Sequence, residues 1–456
     1  MDFTTQRILF NAAGSGGTAD AGYAIYVTSN GLAQDVSVFL DNGKDRDVYF
    51  GTGNVIARYN PDGTLVWSVA PNSWSASDPF NLQSDNNGVY AYSPRSREIV
   101  AISTSSGKRW SADYYTNVGV NSGESFTNEG TMVLTPGYCA LTMGARPGPN
   151  PGIGANQYPL AWYGSVYSSY GGRPLSLNGA SYGDMAWYFR GDANRSDNAN
   201  IYQFKSAPDP SLGGGVISMY YSYEVNKISF FRWTAYSTTM RSAKYLGTTA
   251  SNIALCSDSI GNAFLGWSVY GGSYYGNNIL KLDPSDNQLW VKYIYISGEG
   301  LEVEDAASDD DYVYFVCSGT YLRIIKVDAS TGDLVKAWKI ICTQSGFQAN
   351  GESYISLGKD HIYFTLPNLG FAKILKDEPV LGTFGNFTVE EDPNVQVSGN
   401  GFTIYNLSPQ TTTPPNAGPR DPNNPQYGDE YYNNLMQLNS TTINPQTRGW
   451  QTIYFE

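Results

Sequence analysis

Short runs in which apolar and polar residues alternate with period two recur along the chain, each beginning at a small or acidic residue and carrying aromatic and β-branched side chains: 47–50, 88–92, 311–315 and 360–364. Such runs predict half-buried strands. The first three lead towards a cassette, which also recurs before Trp290, of a further strand ending in Asp, Asn or Ser, then a tight turn, then a strand with Trp. The first copy is Val55-Ile56-Ala57-Arg58-Tyr59-Asn60, Pro61-Asp62-Gly63 and Thr64-Leu65-Val66-Trp67; the others end on Trp110, Trp290 and Trp338. Further strand runs are predicted at 131–135, 161–167, 185–189, 216–223, 228–233 and 262–267, and helix-type periodicity is nearly absent. The chain reads as all-β.

The anchor tryptophans Trp67, Trp110, Trp290 and Trp338 are separated by 43, 180 and 48 residues. A period of roughly 40 to 50 residues is that of propeller blades, each too small to bury its own faces and stable only against neighbours. The expectation is a β-propeller of about seven blades over residues 41–390, with eight as the alternative. In this reading each Trp packs between neighbouring blades, and Pro61-Asp62-Gly63 and Ser106-Gly107 supply the positive φ that tight hairpins need. Residues 1–40 form an N-terminal attachment segment whose strand candidates, 23–27 and 35–40, include one able to complete the last blade and remove an open edge. Residues 391–456 form a Pro-rich arm, with Thr411 to Pro422 as a polar tether, and a C-terminal docking segment seeking another subunit or the propeller flank.

Composition changes the picture in one respect. Charged residues are 15% of the chain, against roughly 25% in ordinary soluble domains, while Gly (49) and Tyr (36) abound. Uncharged polar and aromatic groups must therefore build much of the surface, which suits packing against other proteins. The net charge of −13 and the lack of a Lys/Arg cluster disfavour nucleic acid as partner. No run approaches the 18 or so apolar residues of a membrane span, and no basic-then-apolar secretion signal opens the chain.

Chemistry is sparse. Cys139, Cys256, Cys317 and Cys342 lie far apart and are expected as free thiols, and His361 is the single histidine, placed at the start of a blade strand. Zinc sites and His-dependent triads are thus disfavoured. Two acidic groups remain. Glu302, Glu304, Asp305 and Asp309 to Asp311 either converge on a metal or form a solvated loop; Asp192, Asn194 and Asp197 alternate like the start of a calcium loop but lack the Gly and distal Glu of that motif. No cofactor is expected. Tyr163, Tyr167, Tyr170, Tyr270, Tyr274 and Tyr275 sit among Gly and Ser and form the candidate binding surface, since Tyr offers a large rigid contact at low entropy cost.

The cassettes Asn60 to Trp67, Ser103 to Trp110 and Asp328 to Leu334 resemble the blade repeat of pyrroloquinoline-quinone-type and WD40-like propellers. That family includes quinoprotein dehydrogenases and outer-membrane assembly scaffolds; the dehydrogenases' adjacent-cysteine disulfide has no counterpart here. The opening Gln6 to Gly17 and the Tyr/Gly/Asn/Ser richness resemble virion proteins of tailed, particularly marine, bacteriophages. The resemblance implies a non-enzymatic structural component of a virion, in the tail or adsorption apparatus, whose propeller is a protein- or glycan-binding platform. Its partners would be other virion proteins, through the terminal segments, and a host-surface glycan or protein, with homo-oligomers as a further option. The alternatives are a propeller enzyme, either a quinone-dependent oxidoreductase or a polysaccharide-cleaving protein, and an intracellular assembly scaffold.

Overall fold

The computed structural model describes residues 21–27, 33–96, 98–114, 125–135, 138–146, 158–165, 186–188, 201–213, 215–222, 227–234, 242–248, 250–269, 276–399, 405–406, 436–438, 441–446 and 450–455. Their strands form seven antiparallel sheets. After β1 (Gly22–Val27), sheet 1 comprises β2 (Ala33–Asp41), β3 (Lys44–Thr52), β4 (Val55–Tyr59) and β5 (Leu65–Pro71). Sheet 2 comprises β6 (Asn81–Asp85), β7 (Gly88–Ser93), β8 (Glu98–Ser103) and β9 (Lys108–Tyr114). Sheet 3 is β10 (Ser125–Thr135), β11 (Tyr138–Arg146), β12 (Tyr158–Ser165) and β13 (Ala186–Tyr188). Sheet 4 follows as β14 (Ile201–Asp209), β15 (Gly215–Ser222), β16 (Lys227–Thr234) and β17 (Ser242–Gly247). Sheet 5 is β18 (Ile253–Ser257), β19 (Ala263–Val269), β20 (Gly276–Leu282) and β21 (Gln288–Ile296). Sheet 6 contains β22 (Leu301–Ser308), β23 (Tyr312–Gly319), β24 (Leu322–Asp328) and β25 (Leu334–Cys342). Sheet 7 takes β26 (Ile355–Leu357), β27 (His361–Leu366) and β28 (Gly370–Leu375) from this end of the chain and β1 from the other.

The first strand of each sheet packs on the first strands of its neighbours, and the circuit closes where β26 meets β2. The middle strands are buried along most of their length, and β7, β20 and β27 along all of it, because their sheets are covered on both faces. The core is therefore not one mass. Among the described residues, apolar clusters sit at five sheet junctions: sheets 7 and 1 around Phe50 and Phe371, 1 and 2 around Ile56 and Val89, 4 and 5 around Phe230 and Leu265, 5 and 6 around Ile279 and Phe315, and 6 and 7 around Trp338 and Phe364. No sheet could hold its fold alone, which is why the repeat pattern is legible at all.

The expectation of about seven blades, with eight as the alternative, is corrected. Six blades share one build: four strands extended by outer strands from the C-terminal segment; the remaining sheet, β10 to β13, has four strands and no such addition among the described residues. The added strands run backwards around the circumference. Sheet 6 gains the hairpin β29 (Gly382–Phe384) and β30 (Phe387–Glu391), sheet 5 gains β31 (Val395–Gly399), and sheet 4 gains β32 (Tyr405–Asn406). Beyond sheet 3, β33 (Met436–Leu438) pairs with β9, β34 (Ile443–Pro445) with β5, and β35 (Trp450–Tyr454) with β1. A cassette count cannot register strands of two to five residues that carry no cassette.

Candidate functional site: the axial cavity

The inner strands enclose a cavity of about 450 Å³ on the ring axis, lined from all seven sheets. Strict alternation along an inner strand would send every second side chain to a sheet junction, yet β2, β14 and β22 each carry a register shift near the cavity, at Ala33/Asp35, Ile201/Phe204 and Val303/Asp305. Such bulges re-aim side chains. In β22 the shift lets the adjacent acids Glu304 and Asp305 serve different partners. Asn252 Nδ2 donates to Glu304 Oε1 at 3.0 Å and to Glu302 Oε2 at 3.3 Å, and Ser318 Oγ also donates to Glu304. Asp305 instead takes Lys205 Nζ at 3.2 Å and the Ile355 backbone N–H at 3.2 Å. Lys205 Nζ also lies 4.9 Å from the centre of the Tyr354 ring. Across the cavity Asp35 accepts the N–H groups of Val36 at 2.7 Å and Leu82 at 2.6 Å.

Carboxyls outnumber ammonium groups here, and the titrations respond. Burial pushes Asp35 up to about 8, with the negative charge of Asp305 adding to it against the pull of the Leu82 and Val36 N–H groups and of Lys205. Burial likewise raises Glu304 to about 8, assisted by Glu352 and Glu302 and opposed by Ser318 and Lys205. For Lys205, burial works against the charged form, but Asp305 outweighs it and holds the ammonium above its ordinary value. At neutral pH the site therefore presents two carboxylic acids able to donate, one paired ammonium, and amide and hydroxyl groups.

Of the acidic run, Glu302, Glu304 and Asp305 belong to this site, whereas Asp309 to Asp311 fall in the turn after β22. There Asp309 receives Lys376 Nζ at 2.9 Å and Asp310 receives the Ser259 N–H at 2.7 Å. Among the described residues no group of three or more His, Cys, Asp or Glu side chains is placed to hold a metal. Asp192, Asn194 and Asp197 lie outside the described residues, as do Tyr167, Tyr170, Tyr270, Tyr274 and Tyr275; Tyr163 is placed on β12, opposite Ala140. Cys256 and Cys317 are buried free thiols, and His361 opens β27 with Nδ1 3.5 Å from Asp45.

The tryptophans mark the junctions in two ways. Trp67 and Trp290 each donate from Nε1 to a turn carbonyl of the next sheet, Thr104 O at 2.8 Å and Ala329 O at 3.1 Å. Trp110 is opposite Ala101 on the equivalent strand. Trp338 pairs with Ile324, two positions further along, and is buried against sheet 7 instead. Sequence reasoning missed what accompanies them. The third strand of five sheets carries a cation that reaches the following sheet: at its third-to-fourth turn, Arg58 to Thr104 O (2.8 Å), Arg232 to Asp283 O (3.1 Å), Lys281 to Ala329 O (2.9 Å) and Lys373 to Pro61 O (3.0 Å), and just after its third strand, Lys326 to the Asp377 carboxylate (2.6 Å). The signal was present in the cassettes, where Arg58, Lys281 and Lys326 each stand two residues before the turn-forming Asn60, Asp283 and Asp328.

No protein-family model matches the sequence, and no curated protein matches it. Solved structures to which the chain is similar include Kuenenia stuttgartiensis hydrazine synthase (9% identity, 79% of this chain and 96% of that one, TM-score 0.47). They also include the Neurospora crassa Pan2 WD40 domain (10%, 76% and 90%, TM-score 0.43) and the Vanderwaltozyma polyspora Nup133 β-propeller domain (10%, 78% and 97%, TM-score 0.40).

Proposed function

We propose that this propeller is a non-enzymatic protein-binding platform, and that the assembly it serves is a bacteriophage particle. One observation carries the platform reading. In an antiparallel blade the first-to-second and third-to-fourth turns share one face, and five of the seven exposed large apolar side chains among the described residues, Leu40, Val66, Ile260, Leu289 and Val335, stand beside those turns. Apolar groups on one face of a rigid ring, at sheets 1, 5 and 6, with the outer edges of six sheets occupied by the chain's own strands, suit a flat macromolecular partner. The phage reading draws on composition: low charge and abundant Tyr and Gly.

Two experiments test these separately. Replacing Ile260 and Leu289 together by Glu should abolish capture of the partner from its native assembly while leaving the unfolding free energy within about 0.5 kcal/mol of the wild type, as surface changes do; capture undiminished would end the platform reading. Mass spectrometry of purified particles should find the polypeptide as a stoichiometric component. Its presence only as free cellular protein would end the virion reading.

A second reading, a polysaccharide-cleaving enzyme, is favoured by the protonated acids Asp35 and Glu304, since a carboxyl poised near neutrality suits general-acid work. Glycan cleavage lost on Glu304→Gln would support it.

A further inference from the structure

The C-terminal segment ends where it began. Phe455, buried just after β35, stacks on Phe387 (ring centres 5.0 Å apart, planes at 12°) and Phe384 (4.7 Å, 28°), the two rings that flank the turn of the hairpin of β29 and β30. Its N–H donates to Gly22 O at 3.0 Å. A second anchor lies between sheets 1 and 2, where buried Thr441 donates to Glu98 and its carbonyl accepts Lys108 Nζ at 2.5 Å. Between these anchors the hold is light. β33 and β34 have three residues each, and Asn444, Pro445 and Gln451 face solvent. What the segment covers is a set of complete four-stranded sheets whose outer edges, β9, β5 and β1, would otherwise be open.

We propose that these edges form a peptide-binding track that accepts residues 436–455 in trans, from a second copy of this chain. Backbone pairing to a sheet edge is indifferent to whether the added strand belongs to the same molecule, while pockets for particular side chains give register and specificity; here the anchors are Thr441 and Phe455. Exchange of an identical element costs little, because each pairing given up within one molecule is remade in the other. The 29 residues between Asn406 and Met436 tether the segment to its own ring, and a short tether sets a local concentration in the mM range. Dilute chains therefore keep their own segment, and chains crowded in an assembly can trade it. This inference is independent of which partner the turn face binds.

A labelled peptide of residues 436–456, titrated by fluorescence anisotropy into full-length protein, tests the track. Binding should be saturable to the F455A chain and at least tenfold tighter than to the wild type, whose own segment occupies the edges. A peptide itself carrying F455A should bind the F455A chain at least tenfold more weakly. Absence of binding to the F455A chain, or equal affinity for both chains, would overturn the proposal. Should F455A fail to fold, the T441A chain, with the corresponding T441A peptide as control, makes the same comparison at the other anchor.

Discussion

At the scale of single residues the ring is joined by cations that work on carbonyls, and their surroundings decide how much each is worth. Lys281 and Trp290 converge on one oxygen, Ala329 O, as Arg58 and Trp67 do on Thr104 O. Lys281→Met keeps the apolar stem and removes the charged donor, so it should lower unfolding free energy by about 2 kcal/mol, the worth of a hydrogen bond to a charged group, measured by urea denaturation. Arg232→Met should cost more, about 3 to 5 kcal/mol, because buried Asp209 and Asp286 would lose their guanidinium. Equal losses would mean that burial of the carboxylates does not set the scale. Glu304 gives a pH dependence of definite sign. Its folded pKa of about 8 exceeds the unfolded value of about 4.3, so between those values the folded state binds more protons and stability falls as pH rises. Chemical denaturation across pH 5 to 8 should show that decline flattened in Glu304→Gln.

At the scale of elements, the strands with cassettes were legible because each must alternate and turn in the same way: Val55 to Tyr59 and Leu322 to Asp328 are found where the pattern put them. The added outer strands were not, since edge pairing uses backbone groups and asks nothing distinctive of side chains in three-residue pieces such as Ile443–Pro445. The axial site was half legible. Glu302, Glu304 and Asp305 announced a concentration of acid, but Lys205 is 100 residues away and only the closed ring brings it to Asp305. Ring closure itself is both apolar and ionic. Asp45 of β3 accepts the Lys359 N–H at 2.6 Å and the Tyr363 hydroxyl at 2.7 Å, with His361 Nδ1 nearby. Despite the opposing effect of burial, the partners His361, Lys359 and Tyr363 hold its carboxyl down at about 2. A depressed acid contributes stability above its unfolded value of about 3.9 and loses it as pH falls towards 2. Hydrogen exchange in acid should therefore open the junction of sheets 7 and 1 before that of sheets 5 and 6, and Asp45→Asn should remove this order. Simultaneous opening at both junctions would place the acid-sensitive contact elsewhere.

For the whole molecule, the C-terminal segment turns a closed ring into one with covered rims, and the two properties are separable. A chain ending at Asn406 retains sheets 1, 2 and 7 with four strands each and keeps the apolar clusters at their junctions, apart from Phe455, Ile453 and Ile443. It should still fold cooperatively, less stable than the full chain by about 3 to 5 kcal/mol for the emptied Phe455 site. Its behaviour in concentrated solution should change more than its stability. β9, β5 and β1 would each present a row of unpaired backbone groups, the feature natural sheets cover or blunt against edge-to-edge association. Sedimentation velocity should accordingly show concentration-dependent association of the truncated chain, reversed by the peptide of residues 436–456. If the truncated chain stays monomeric at concentrations where the peptide saturates it, the rims do not need covering and the segment serves only to brace the ring. If it fails to fold, the junction clusters alone are not sufficient, and the circumferential strands are part of the core rather than an addition to it.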